Sequence, residues 1–105
     1  MPADILACKN TRKVSMVTAY DYTLAGLVDA GGVDMILVGD SLANVMLGLE
    51  STRGVGMCEM VYHAQAVARA VKQALIVGDM PFDAYQVRPD DAVDNARDFT
   101  AAGCT

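Results

Sequence analysis

Two short segments of this chain are nearly identical: Met35-Ile-Leu-Val-Gly-Asp40 and Leu75-Ile-Val-Gly-Asp79. Each is an unbroken apolar run that stops at Gly-Asp, the pattern of a strand covered on both faces rather than one with a wet side. Their aspartates stand 39 positions apart, which leaves room for a helix and two loops, as in a βαβ crossover. A third apolar run, Val14 to Ala19, precedes both and ends before Tyr20-Asp21-Tyr22. Three such runs separated by helix-length segments predict an α/β chain with a parallel sheet.

The intervening segments carry helical spacing. Leu24, Ala25, Leu27 and Val28 predict a helix over residues 22 to 30, stopped by Gly31-Gly32. From Met57 to Gln73, Met60, Ala64, Val67, Ala68 and Val71 recur at i, i+4, i+7 and i+8, one buried stripe. Arg69 and Lys72 sit near that helix's C-terminal end, where cations suit the dipole. Pro89 opens a last helix, Asp90 and Asp91 favour its positive end, and Gly103 caps it after about Ala102. A short helix near Ala3 to Cys8 stands in front, and Glu50 to Gly56 reads as a polar loop.

Among 105 residues, 8 basic and 13 acidic side chains give a net charge of −5, so no basic field exists to gather a phosphate backbone. Nucleic acid is therefore not an expected partner. The longest uncharged runs, Ser41 to Leu49 and Met60 to Ala68, have nine residues each, about half of the ~18 that a membrane span needs. No membrane partner is expected. The first residues lack the basic start and apolar core of a secretory signal, and Cys8, Cys58 and Cys104 are widely spaced and odd in number. Free thiols in a reducing compartment fit that pattern, which points to the cytoplasm.

In parallel α/β folds the loops at the C-terminal strand ends converge, and ligands bind there. Asp40 and Asp79 are expected in that mouth at matched positions, with Gly39 and Gly78 allowing close approach or a turn. Two carboxylates brought together repel unless a cation sits between them or one stays protonated. A hard divalent ion such as Mg²⁺ suits them, since it takes one or two carboxylates and leaves other positions to water and substrate. His63, the only histidine, lies inside the long helix with no second ligand nearby and is expected to be structural. The seven methionines read as core filler. Tyr20 and Tyr22 are open between pocket wall and packing.

Five stretches together resemble the ketopantoate hydroxymethyltransferase family: Thr18-Ala-Tyr-Asp-Tyr22, Ile36-Leu-Val-Gly-Asp-Ser-Leu42, Gly48-Leu-Glu-Ser-Thr52, Glu59-Met-Val-Tyr-His63 and Asp79-Met-Pro-Phe82. They stand in the family's order over nearly the whole chain. The resemblance implies a partial (β/α)8 TIM barrel, its first three strand-helix units behind a short N-terminal helix. Residues 1–105 would be the N-terminal part of one barrel domain, ending before the fourth strand, since such a barrel needs roughly 250 residues.

It further implies transfer of a hydroxymethyl group from 5,10-methylenetetrahydrofolate to 3-methyl-2-oxobutanoate, giving 2-dehydropantoate. Carried over by position, Asp40 and Asp79 would hold Mg²⁺, directly or through water, and Asp40, Ser41 and Asp79 would bind the 2-oxo acid. The family's Lys-x-Glu segment and its general base would lie beyond Thr105, so no catalytic base is expected within these residues. Full-length members are expected to be homo-oligomers. Ser51-Thr-Arg-Gly-Val-Gly-Met57 departs from the family's usual Ser-Thr-Leu-Pro-Val-Thr-like run, and Gly56 replaces a helix-capping side chain. Two alternatives share parts of this pattern: a carbon–carbon lyase or mutase of the phosphoenolpyruvate mutase/isocitrate lyase group, and a non-catalytic receiver-like α/β module.

Overall fold

The computed structural model describes residues 1–86 and 88–105. Three strands, β1 (Met16–Thr18), β2 (Met35–Val38) and β3 (Leu75–Gly78), form one parallel sheet in that order. Met16, Met35 and Leu75 share one rung, and Ile36 pairs with Ile76 one step on. The helices are α1 (Pro2–Ala7), α2 (Tyr22–Ala30), α3 (Leu42–Val45), α4 (Met57–Ala70) and α5 (Pro89–Ala102). Among the described residues, no helix is long and apolar enough to cross a membrane.

Alternation along the strands divides the sheet into two unequal faces. Ile36, Val38 and Ile76 point to one side and are buried in a core with Ala25 of α2, Met60, Ala64 and Val67 of α4, and Phe99 and Ala102 of α5. Helix α4 packs against both α2 and α5 and fills the centre of that layer. The opposite face carries Met16, Thr18, Met35, Leu37, Leu75 and Val77, none of them buried. The expectation of strands covered on both faces therefore holds for one face only. The methionine expectation is corrected likewise: Met60 is fully buried, whereas Met16 and Met46 are exposed. At the outer edge of β3, the backbone N–H of Thr105 donates to the Ile76 carbonyl at 2.9 Å.

The helix ends follow local chemistry. Asp21 caps α2, its carboxylate accepting from the Leu24 N–H at 2.7 Å. At α4, Gly56 has no side chain to cap with, and the Glu59 carboxylate reaches back to accept the Gly56 N–H at 3.0 Å. The lost capping side chain is thus partly offset. Helix α4 ends at Ala70 rather than running to Gln73, because the next N–H groups turn to another partner. The buried Asp29 carboxylate accepts from Lys72 and Ala74, both at 2.8 Å, and from Gln73 at 3.3 Å. Burial opposes ionisation of Asp29, but those N–H groups, with the Lys72 charge, outweigh it and hold the carboxyl below its usual range.

Arg12 and Asp34 tie the start of β1 to the start of β2 through two contacts of 2.7 and 3.0 Å, with the Ser15 N–H adding a third at 2.9 Å. Hydrogen bonding from Arg12 and Ser15 keeps the Asp34 carboxyl well below the carboxylate range despite some desolvation.

Gly103 ends α5 at φ 113°, a left-handed position, and a Cβ there would stand 2.5 Å from the Ala68 Cβ. Gly103→Ala is expected to lose about 2 kcal/mol from strain and the clash together, seen as a lower thermal midpoint with an unchanged helical signal.

Candidate metal centre

Beyond Val38 the chain leaves the sheet through Gly39, Asp40 and Ser41 and turns at once into α3. The Leu42 N–H donates to the Gly39 carbonyl at 3.1 Å and the Ala43 N–H to the Asp40 carbonyl at 3.0 Å. This tight turn leaves the Asp40 and Ser41 side chains half-buried at the C-terminal end of β2. Asp79 follows β3 directly and is half-buried at the same end.

The two Gly-Asp pairs are not in matched register, as the repeated sequence suggested. Val38 pairs with Gly78, so Asp40 lies one residue further along its segment than Asp79 does. Inside a sheet that offset would send the two side chains to opposite faces. Here the strand has already ended, and the turn returns Asp40 toward its neighbour: its backbone N–H donates to Asp79 Oδ2 at 3.2 Å. The Asp79 N–H in turn donates to the Val38 carbonyl at 3.0 Å. Gly78 is required by close approach, since a Cβ would meet the Phe99 ring at 2.7 Å. Gly39 has only ordinary contacts at the equivalent point, the nearest at 3.4 Å.

Burial pushes the Asp40 carboxyl above its usual range, and the Asp79 carboxylate pushes it the same way by charge and hydrogen bonding. Thr52 acts in the opposite sense, its side chain favouring the charged form of Asp40. Thr52 lies in the 3₁₀ turn Thr52–Gly54, part of the stretch expected to be plain loop. The next residue, Arg53, stacks its guanidinium 4.1 Å from the centre of the Phe82 ring, which joins the loop after β2 to the loop after β3. Nothing in residue spacing pointed to Thr52 or to the Arg53 contact, since both depend on how two loops meet.

Tyr20, at the exit of β1, brings its hydroxyl to 2.6 Å from Ser41 Oγ. Tyr20 therefore packs against the turn beyond β2, whereas Tyr22 is exposed at the start of α2. His63 fulfils the structural expectation: its Nδ1 lies 2.6 Å from the Tyr20 carbonyl oxygen.

The donor set is oxygen only. Among the described residues no group of three or more His, Cys, Asp and Glu side chains gathers at one point, so the chain offers a pair of carboxylates. A half-buried pair, one member of which is resisting ionisation, suits a hard divalent cation that keeps several positions for water or a small oxygen-rich ligand. Soft metals would call for sulfur or imidazole.

Comparison with known proteins supplies the context. The model of the ketopantoate hydroxymethyltransferase family matches residues 2–105. A 3-methyl-2-oxobutanoate hydroxymethyltransferase of Syntrophomonas wolfei subsp. wolfei is 54% identical over 98 residues, covering 92% of this chain and 36% of the relative. One from Ignicoccus hospitalis is 58% identical over 95 residues, 90% of this chain and 36% of its own. The chain thus spans about a third of the length of the curated relatives it matches. Among solved structures, a phosphonopyruvate hydrolase in complex with oxalate and Mg²⁺ aligns with TM-score 0.79 at 16% identity, over 98% of this chain and 35% of that one. A phosphoenolpyruvate phosphomutase from Streptomyces platensis subsp. rosaceus gives 0.75 at 21% identity, over 97% and 35%. At those identities the likeness is one of fold. The family match and the relatives are specific, and the chain belongs to the ketopantoate hydroxymethyltransferase family.

Proposed function

We propose that residues 1–105 are the N-terminal part of a cytoplasmic, Mg²⁺-dependent enzyme that transfers a hydroxymethyl group from 5,10-methylenetetrahydrofolate to 3-methyl-2-oxobutanoate, giving 2-dehydropantoate. The observation that carries this reading is the meeting of Asp40 and Asp79 at neighbouring strand ends, with the Asp40 N–H on the Asp79 carboxylate. Family membership gives that pair its substrate class. β1, β2 and β3 are then the first three strands of an eight-stranded barrel. The open sheet face and the Thr105 N–H on the edge of β3 both suit a sheet that continues.

Asp40 and Asp79 would hold the ion, and Mg²⁺ when bound would supply Lewis-acid polarisation of the 2-oxo group. Ser41 adds a hydroxyl for the carboxylate end of the 2-oxo acid. The Thr52 side chain favours ionised Asp40, the form a cation needs. The base that removes the C3 proton, and the folate contacts, lie outside these residues in this reading. The full-length protein is a homo-oligomer, as the resemblance implies.

The test joins this chain to the remaining barrel of the Syntrophomonas wolfei relative. The folded hybrid is expected to catalyse folate- and Mg²⁺-dependent hydroxymethyl transfer to 3-methyl-2-oxobutanoate, followed by product NMR, while residues 1–105 alone do not. A folded hybrid that binds Mg²⁺ but cleaves or rearranges a 2-oxo acid without folate would instead favour the lyase or mutase alternative.

A further inference from the structure

His63 of α4 and two loop residues, Tyr20 beyond β1 and Ser41 beyond β2, form a continuous path that the metal pair does not explain. His63, inside α4, contacts the Tyr20 carbonyl at 2.6 Å. A carbonyl oxygen only accepts, so Nδ1 of His63 carries the proton, and this bond pins the backbone where β1 leaves the sheet. From that pinned residue the phenol reaches across to Ser41 Oγ at 2.6 Å. Ser41 makes no side-chain capping bond to α3, although it occupies the position where a serine ordinarily would.

The sense of the Tyr20–Ser41 bond follows from acidity. A phenol is the more acidic hydroxyl and the better donor, while the serine oxygen is the better acceptor. With Tyr20 donating, Ser41 has one lone pair filled, and its own O–H is left to point to a third group. Ser41 follows Asp40 directly in the turn beyond β2, where both side chains are half-buried, so a ligand held by Asp40 would come within that hydroxyl's neighbourhood. We propose that Tyr20, held by His63, is a positioning residue that fixes Ser41 as a hydrogen-bond donor to the carboxylate of a metal-bound 2-oxo acid. This rests on the metal-site reading above and deepens it by naming how the organic anion, as distinct from the cation, is recognised. Tyr20 and His63 need not touch the ligand.

A merely structural staple between the ends of β1 and β2 would make different predictions. Losing a staple weakens everything in the mouth together, whereas losing the donor sense weakens the anion and spares the cation. The experiment uses the family-length hybrid with Mg²⁺ as the cation and oxalate as an unreactive stand-in for the 2-oxo acid. Thermal shift reads Mg²⁺ binding and calorimetry reads oxalate binding at saturating Mg²⁺.

Tyr20→Phe is expected to keep the wild-type Mg²⁺ shift and to weaken oxalate about fivefold, the worth of one neutral hydrogen bond. Ser41→Ala should cost a similar factor, and the double variant no more than the larger single loss, because the two hydroxyls act as one unit. His63→Gln, which keeps an N–H within reach, should retain oxalate binding, and His63→Leu should lose it about as Tyr20→Phe does. The His63 pair also decides the matter if Tyr20→Phe does not fold. Unchanged oxalate binding in Tyr20→Phe, losses that multiply in the double variant, or a parallel fall in the Mg²⁺ shift would each overturn the positioning role. A wild-type hybrid that Mg²⁺ does not stabilise would overturn the metal-site reading itself, a separate outcome.

Discussion

Asp79→Asn is expected to make the ligand-free protein more stable and, in the same stroke, to remove its response to Mg²⁺. Asp40 is held above its usual range by burial and by the neighbouring Asp79 charge. A carboxyl raised by folding favours the fold while protonated, and that favour is lost as pH climbs from the unfolded value of about 4 through the folded one. Above that range the charge on Asp40 beside Asp79 therefore opposes folding. Asparagine at 79 removes the repulsion but keeps an oxygen to accept the Asp40 N–H. Because burial is the larger cause and solvent screens the pair, the gain should be about 0.5 kcal/mol at pH 7, fading toward pH 4, and measurable by urea unfolding without metal.

Added Mg²⁺ should reverse the ranking. At a hundred times its dissociation constant a ligand adds about 2.7 kcal/mol to the protein that binds it, and the variant receives little of that. In the family-length hybrid, hydroxymethyl transfer should fall by about a hundredfold or more, since a Lewis acid contributes several kcal/mol to the barrier. A variant that is less stable than wild type without metal, yet equally stabilised by Mg²⁺, would sink the idea that these carboxylates share a cation.

Asp29→Ala is expected to cost about 3 kcal/mol, lowering the thermal midpoint by about 15 °C. Asp29 is the one buried charged residue among those described, and its carboxylate takes up the N–H groups of Lys72, Gln73 and Ala74 as the chain passes from α4 toward β3. Alanine leaves those donors with water at best and loosens the approach to the strand that carries Asp79. The pH dependence has the opposite sign to that of Asp40. A carboxyl lowered by folding contributes stability above its unfolded value of about 4 and loses it as pH falls through the folded one. Wild type should thus weaken more than Asp29→Ala does as pH falls below about 4. Asp29→Asn, with one acceptor oxygen left, should fall between them. A loss under 1 kcal/mol for alanine at pH 7 would refute the clamp.

What could be read from the sequence was what local pattern dictates. The bounds of α2 and α5 follow from the Gly31-Gly32 stop, Pro89 and Gly103, and β2 and β3 from their unbroken apolar runs, because each signal acts within a few residues. That Asp40 and Asp79 come together was legible from strand order, whereas Ser41 entered only through the family resemblance. The register between the two aspartates was not legible: equal motifs suggested equal positions, and a sheet counts rungs, not motifs. The early end of α4 was hidden for a similar reason. Its cause, Asp29, stands 43 residues before Lys72, and no window of helical periodicity spans that distance. The short α3 and the turn at Thr52 escaped notice because four- and three-residue elements carry no period at all.

The stacking of Arg53 on Phe82 has a consequence for how this chain can change over generations. The two positions sit in separate loops, yet the cation at one is held by the ring at the other. The run this chain resembles has an aliphatic residue where Arg53 stands, while Phe82 lies in a stretch the two share, so the ring persists without the cation. Arg53 can therefore be exchanged for leucine with no matching change at position 82, at the loss only of the contact that joins the two loops.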